Sequence, residues 1–458
     1  MTRQSPMRLQ VSGHRFLLRR MEHALVRGDV RMLDDPLRAQ SLSLSSGVVL
    51  AGIIVAACAV VAFLRPPGAL GSDPIVVVRE TGALYVRVGD TVHPVFNLAS
   101  ARLIARTPTN PQAVSAAAVN NSKRGPMLGI PGAPAEIPPP LSQDASTWTV
   151  CDDATNTTAI AGDVRAEHLV AQRSVLVTPR SESAATTYLL YDGRRAKVDL
   201  RNRTVVRALK LEGVAPQPVS WALLDAIPEV PPIAAPHIPG AGSPSPLRGY
   251  PVGTVVRVVR AADVEHYVVL AQGVQRIGPV AADLIRFTDA QNDQDIATVA
   301  PDVLGAVPIV DTLPVATLPE RAAVSGAAVV CARWQFGSAE VNSTVLVSDS
   351  LPTGDDTITL TQADGDGPSV DAFAMPRGHS AYVRSTGIGG DGARTGALYF
   401  VNDSGVVFGL RDEDTAKHLG LDGAPVPAPW PVLARLPRGP ELSREAASIA
   451  RDSVAGPP

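Results

Sequence analysis

Hydrophobic and polar positions follow three different rhythms along this chain. Between Ser12 and Leu33, Leu17, Met21, Ala24 and Leu25 recur at helical spacing, while Arg15, Arg19, Arg20, Arg27 and Arg31 cover much of the remainder. That pattern predicts a basic amphipathic helix, capped by Ser12 and ended by Pro36. From Gly47 to Leu64 (GVVLAGIIVAACAVVAFL) the polar face disappears, until Arg65, Pro66 and Pro67 close the run. Beyond it, short strand-like runs dominate, bounded by turn residues: IVVVRE, TYLLYD, TVVRVV, HYVVLA, STVLVS, TITLTQ, ALYFVN and VVFGLR.

The middle rhythm predicts a transmembrane helix, because a run of this length at 1.5 Å per residue crosses most of a ~30 Å hydrocarbon core. A cleaved signal peptide would lie near the start and be followed by a small-residue cleavage site. Here residues 1–46 come first and Arg-Pro-Pro-Gly follows. A buried helix of a soluble protein rarely lacks a polar face over such a length. Flanking charge sets the orientation. Arg3, Arg8, Arg15, Arg19, Arg20, Arg27, Arg31 and Arg38 precede the span, against Arg65, Arg79 and Arg87 shortly after it. Positive residues stay on the cytoplasmic side, so the N-terminus is expected inside and the bulk of the chain outside. The net charge of −3 hides this asymmetry, and no basic stripe in the large part points to nucleic acid. The amphipathic head helix suits either anionic lipid or a partner protein.

Three cysteines fit this topology. Cys58 lies within the apolar span as a small hydrophobe. Cys151 and Cys331 both fall on the expected outer side, where disulfides persist, each in a strand-like stretch beside a Trp (TWTVCDD and AAVVCARWQF). A Cys151–Cys331 disulfide is expected, two buried free thiols being the alternative.

Aligning the turns reveals an internal repeat. Its copies open at Leu84-Tyr85 and run to Gly89, then from Tyr188 to Gly193, Tyr267 to Gly273, and Tyr399 to Gly405. Each reads as a strand, a Gly turn, a second strand and a short helix ending on Leu, the Gly supplying positive φ. One such unit cannot bury its apolar faces alone, so the copies should pack together. Uneven spacing excludes a regular solenoid or propeller. The expected layout is a cytoplasmic arm (1–46), the span (47–65), repeat 1 (73–107), a first central part (108–165) and repeat 2 (166–227). A stiff Pro-rich linker follows (228–250; eight prolines from Pro228 to Pro251 inclusive), then repeat 3 (251–299), a second central part (300–395), repeat 4 (396–425) and a tail over the repeats with Trp430 buried (426–458). The fold class is α+β, mostly β. It comprises one N-terminal transmembrane helix and an elongated periplasmic domain of four β-hairpin–helix repeats around a disulfide-linked central subdomain.

The head VSGHRFLLRRMEHALVRGDVRMLDDPLR (11–38) closely resembles the N-terminal signature of the EccB family of type VII (ESX) secretion systems of mycobacteria and related actinobacteria. Further segments match in order: ALYVRVGDTVHPVFNLASARLI (83–104), RGPMLGIPGAPAEI (124–137), STWTVCD (146–152), HYVVLAQGV (266–274) and PWPVLARLPRGPELSREAA (429–447). The resemblance covers essentially the whole chain and is weakest around 335–395. It implies a single-pass inner-membrane protein with a cytoplasmic N-terminus. The implied partners are the motor ATPase EccC, EccD, EccE, the mycosin protease MycP and other EccB copies, in a complex of sixfold symmetry. Arg15, Phe16, Leu17, Arg19 and Arg20 would contact cytoplasmic parts of neighbouring subunits, and Cys151 and Cys331 would form the bridge.

Family members are often described as ATPases, so ATP is the one cofactor the resemblance raises. A P-loop needs Gly-Lys-Ser/Thr. Lys123, Lys197, Lys210 and Lys417 are the only lysines, and none follows a glycine. Gly387-Ile388-Gly389-Gly390-Asp391-Gly392 satisfies GxGxxG, but the flanking AYVRST and TGALYFV make it strand–loop–strand with no helix N-terminus for a pyrophosphate. Asp364, Asp366 and Asp371 evoke a calcium loop whose spacing fails at Pro368, and the eight histidines lack ligand spacing. His379-Ser380 has no nucleophile-elbow context. No catalytic, cofactor or metal residue is therefore assigned. The reading is a structural and assembly subunit, with an ATP-hydrolysing component as the alternative and a wall-binding module as a third, less favoured one.

Overall fold

A computed structural model describes residues 5–28, 36–64, 70–142, 147–163, 170–171, 174–180, 186–260, 263–288, 296–321, 324–337, 341–353 and 357–452. Two compact units are distinguished, Met1–Gly71 with Val114–Val119, and Ser72–Ala113 with Asn120–Pro458.

The first unit contains two helices, Ser5–Arg27 and Pro36–Leu64. The expected head helix, 12–33, is shifted: Ser12 lies inside it, and the end comes at Gly28. Gly28 adopts φ +66° and its N–H donates to Ala24 O at 3.0 Å. A left-handed glycine closes a helix without steric cost; residues 29–33 of the expected helix lie outside the described residues. Pro36 instead begins the second helix, where its missing N–H is harmless. The apolar stretch Ser41–Val61 is 21 residues long and wholly unburied. Arg31 and Arg65-Pro66-Pro67 fall outside the described residues.

In the second unit the repeats share one topology, richer than hairpin plus helix. Repeat 2 shows it in full. Val175–Pro179, Thr187–Tyr191 and Arg194–Val198 form an antiparallel meander, followed by a helix at Arg203–Ala208. Gln217–Val219 then returns parallel to the first strand, and Glu229–Val230 lies parallel to the third. Repeat 3 runs Val255–Arg260, Asp263–Leu270, Gly273–Ile277, a helix at Pro279–Thr288 and a returning strand at Ala297–Thr298. Repeat 4 runs Ala381–Thr386, Leu398–Val401, Val407–Leu410, a helix at Glu413–Leu419 and a returning strand at Val426–Pro429. Repeat 1 has Ile75–Val78, Leu84–Val88, Thr91–Pro94 and a helix at Leu98–Ala105, with Lys123–Arg124 beside its third strand.

These returning strands move the expected boundaries. Residues 123–124 belong to repeat 1 rather than the central part, and Ile309, bridged to Val274, belongs to repeat 3. The segment 228–250 is not a free linker. It starts by closing the repeat 2 sheet, buries Ile233 there, and buries Leu247 against Val256 in repeat 3. The expected tail is largely the closing half of repeat 4, with Val407 bridged to Arg438 and Leu410 to Leu442. Trp430 is 37% exposed rather than buried.

Helix caps follow the local sequence. Asn97, Asn202, Ser220, Asp412 and Ser443 each accept a backbone N–H in the first turn, and Gly420 (φ +87°) ends the repeat 4 helix. Shared cores join the repeats. Ala99, Leu103 and Ile130 of repeat 1 pack with Phe400, Phe408, Leu419 and Leu442 of repeat 4. Leu189 and Leu209 of repeat 2 pack with Val280 and Leu284 of repeat 3.

The turn glycines have two distinct reasons to exist. Gly89, Gly193 and Gly405 take φ of +61°, +70° and +80°, whereas Gly273 lacks positive φ. A Cβ on Gly273 would sit 2.1 Å from Pro308 O, so close approach requires glycine there. Gly193 combines both demands, since a Cβ there would stand only 1.8 Å from Ser343 O of the central hairpin. Gly193→Ala should therefore lower the thermal unfolding midpoint of the full-length chain in detergent, by at least about 2 kcal/mol of stability. Gly89→Ala, with nothing within 4 Å, should show the smaller effect in the same scan.

Candidate functional site

The centre of the second unit is a seven-stranded sheet built from segments far apart in sequence. Across it lie Ile358–Thr359, Ala372–Ala374, Thr157–Ala161, Thr147–Asp152, Val329–Phe336, Val341–Ser348 and Val170–Ala171. Thr147–Asp152 pairs antiparallel with Val329–Phe336, placing Cys151 opposite Cys331 and Trp148 opposite Trp334. The two motifs mirror one another, Trp-x-x-Cys against Cys-x-x-Trp. An odd offset on a strand sends Trp and Cys to opposite faces. Both tryptophans accordingly enter the large core shared with repeats 2 and 4, while both cysteines enter a smaller cluster with Ile160 and Leu346.

Cys151 and Cys331 form the expected disulfide across a sequence separation of 180, with Cα atoms 4.0 Å apart and no exposure. In the chain-entropy account a loop of this length is worth about 5 kcal/mol.

Next to the bridge, Asp152 is fully buried and fastens the central sheet to repeat 2. Its carboxylate accepts from the Ser220 N–H at 2.5 Å and from Ser220 Oγ at 3.0 Å, with Arg180 Nη2 at 3.8 Å. Arg180 Nη2 also donates to Asp153 O at 2.5 Å. Burial raises the Asp152 carboxyl above its ordinary value, against the opposing pull of the Ser220 N–H and Arg180. Sequence reasoning missed this group; its only local signal was an acid directly after a bridge cysteine.

The other candidates resolve into structural roles. Asp371 accepts from the N–H groups of Thr157, Asp364 and Gly365, so its carboxylate is consumed by the backbone. Among the described residues no group of three His, Cys, Asp or Glu could hold a metal ion. Ser380 Oγ donates to Pro138 O, and the His379 ring lies against Arg377 O. The GxGxxG segment is a turn between strands, with Gly387 N–H donating to Asp391 O at 2.7 Å and Ile388 O accepting from Trp334 Nε1 at 3.0 Å. Lys197 pairs with Glu229 and Lys417 with Asp414. On the head helix, Arg15, Phe16, Leu17, Arg19 and Arg20 are all exposed, Phe16 by 55% and Leu17 by 53%. Cys58 is exposed on the apolar helix.

The chain resembles known proteins along nearly its whole length. The profile of the family described as "Type VII secretion system ESX-1, transport TM domain B" matches residues 3–456. The chain belongs to the EccB family. It is 36% identical to the ESX-3 secretion system ATPase EccB3 of Mycolicibacterium smegmatis, over 98% of this chain and 92% of that protein. It is 33% identical to the ESX-5 secretion system ATPase EccB5 of Mycobacterium tuberculosis, over 98% and 94%. Among solved structures it resembles a chain of an intact ESX-5 inner membrane complex (TM-score 0.73, 31% identity, 100% of this chain and 97% of that one). It also resembles EccB3 in the dimer from the ESX-3 core complex (TM-score 0.72, 33% identity, 82% and 100%). This member of the family is mostly β, carries the Cys151–Cys331 disulfide and has, among the described residues, one N-terminal helix long and apolar enough to cross a membrane.

Two outcomes are expected. Cys151→Ala/Cys331→Ala should destabilise the chain by roughly 2–5 kcal/mol, and reductant should weaken the parent but leave the variant unchanged. For Asp152 the folded-state pKa lies above the unfolded one, so the native state holds more protons between them. Stability contributed by this group therefore falls as pH rises from about 4 through its native titration. Urea titrations from acid to neutral pH should show that slope for the parent, and Asp152→Asn should remove it.

Proposed function

We propose that this chain is an anchoring and assembly subunit of a type VII secretion membrane complex. The observation that supports this most is the match over residues 3–456, joined to an architecture with three separate jobs. Ser41–Val61 anchors in the inner membrane, the head helix docks on cytoplasmic subunits, and the disulfide-fastened repeats associate with other copies in the periplasm. The arginine-rich head supports a cytoplasmic N-terminus. The motor EccC, EccD, EccE and the protease MycP are the partners this reading names, in an assembly of six copies.

On the head helix the docking surface is formed by Phe16 and Leu17 with Arg15, Arg19 and Arg20. An exposed apolar pair set among cations suits a partner groove with an acidic rim. The names of the relatives favour a second reading, ATP hydrolysis. It has no Walker A to act through, and would be supported by turnover of the purified full-length chain that a defined substitution abolishes.

Phe16→Asp/Leu17→Asp should leave the chain in the membrane fraction but reduce its co-purification with EccC by tenfold or more, on the order expected for losing a docking anchor. A complex recovered in full, at unchanged size in detergent, would overturn the docking role.

A further inference from the structure

Where repeat 2, the central hairpin and repeat 4 meet, the surface opens into a crevice of about 1060 Å³. Its floor is Phe336, Val341 and Ser343 of the central hairpin. One lip is the tight turn Asp192-Gly193-Arg194, held against the floor because Gly193 lies directly on Ser343 O. The other lip is the repeat 4 loop from Ile388 to Arg394, the segment whose glycines imitate a nucleotide motif. A Cβ on Gly390 would stand 2.8 Å from Val341, so this lip also touches the floor.

Charge on the two lips is complementary and uncommitted. Each lip carries one aspartate and one arginine: Asp192 and Arg194 on repeat 2, Asp391 and Arg394 on repeat 4. Among the described residues no ion pair or side-chain hydrogen bond engages Asp192, Asp391 or Arg394, and Arg194 makes only a 3.5 Å contact to Ala316 O. Elsewhere in this part of the molecule, partly buried arginines are paired: Arg195 with Glu229, Arg435 with Asp225 and Arg384 with Glu413. Across the crevice only two opposite-sign pairings exist, Asp192 with Arg394 and Arg194 with Asp391.

The repeat 4 lip is also built to move. Glycines occupy 387, 389, 390, 392 and 396, and Gly390 and Gly392 sit at φ +92° and +82°. Its base is fixed by the Trp334–Ile388 hydrogen bond, whereas the hydrogen bonds of the tip, Asp391 to Arg394, are, among the described residues, turns of its own backbone. A glycine-rich tip on a fixed base can change its backbone angles at little steric cost.

We propose that this crevice is a charge-operated clamp, open in this structure, that closes by pairing Asp192 with Arg394 and Arg194 with Asp391. Closure joins repeat 2 to repeat 4 over the central hairpin. Exposed ion pairs are individually weak and salt-sensitive, so two of them form a reversible latch rather than a permanent bond. The motion lies within one chain and stands apart from the assembly role.

The test is a spin-label distance measurement on the full-length chain in detergent. Labels are placed at Leu200→Cys in repeat 2 and Thr395→Cys on the loop, in a Cys58→Ser background. The parent should show a short-distance population at low salt that diminishes at about 0.5 M salt. Arg194→Asp should reduce that population about fivefold, and Arg194→Asp/Asp391→Arg, which leaves the left-handed Asp192 untouched, should restore it by exchanging the charges. A distribution unaffected by the single reversal, or a loss that the exchange does not repair, would overturn the clamp.

Discussion

The pairing of Thr147–Asp152 with Val329–Phe336 is the constraint on which the second unit rests. It is a non-local contact: the intervening chain includes all of repeats 2 and 3, so forming it early in folding carries a large loop-closure cost. Three features of one face or the other offset that cost. The Trp148–Trp334 pair fills the core shared with repeats 2 and 4. The disulfide holds the opposite face. Asp152, one residue further, ties the end of the same strand to the cap of the Trp221–Asp225 helix. Because three fastenings lie within five residues of one strand, register there is fixed for the whole sheet.

What the amino-acid sequence discloses depends on how local each interaction is. The meanders were legible because a tyrosine-opened strand and its turn glycine lie within a few residues of each other. The parallel returning strands were not. Gln217–Val219, Glu229–Val230 and Val426–Pro429 are short and two of them contain proline. Their partners lie about forty residues away, so no alternation or turn signal marks them. The same blindness assigned 228–250 to a linker and 426–458 to a tail. The head helix failed for a different reason, since Ser12 and Pro36 were both credible boundary residues and Gly28 decided the matter through its backbone angle alone.

For the site, the bridge could be anticipated from two cysteines in strand-like surroundings, and their mirrored tryptophans contained the register as well. Asp152 was invisible because its partners, Arg180 and Ser220, are brought in by repeat 2. Phe16 and Leu17 are exposed, as a docking surface must be, but exposure alone does not name what docks, and that role was drawn from family resemblance. Conversely, the GxGxxG segment shows that a motif can be correct in letters and empty in context. Its glycines serve a turn braced against Trp334 and Val341.

The last described strand, Ala450–Arg451, has a mechanical meaning. Ala450–Arg451 pairs with Met127–Leu128 beside repeat 1, the Arg444–Ala447 helix follows the repeat 4 core, and Arg102 of repeat 1 donates to Leu419 O at the end of the repeat 4 helix at 2.6 Å. Any tension transmitted along the chain from the apolar helix reaches the second unit at Ile75, the first strand of repeat 1. There it meets a module that is also stitched to the Ala450–Arg451 strand. Load entering through Ile75 is thereby shared with the Ala450–Arg451 strand, so the first repeat resists being peeled away from its neighbours like the loose end of a thread.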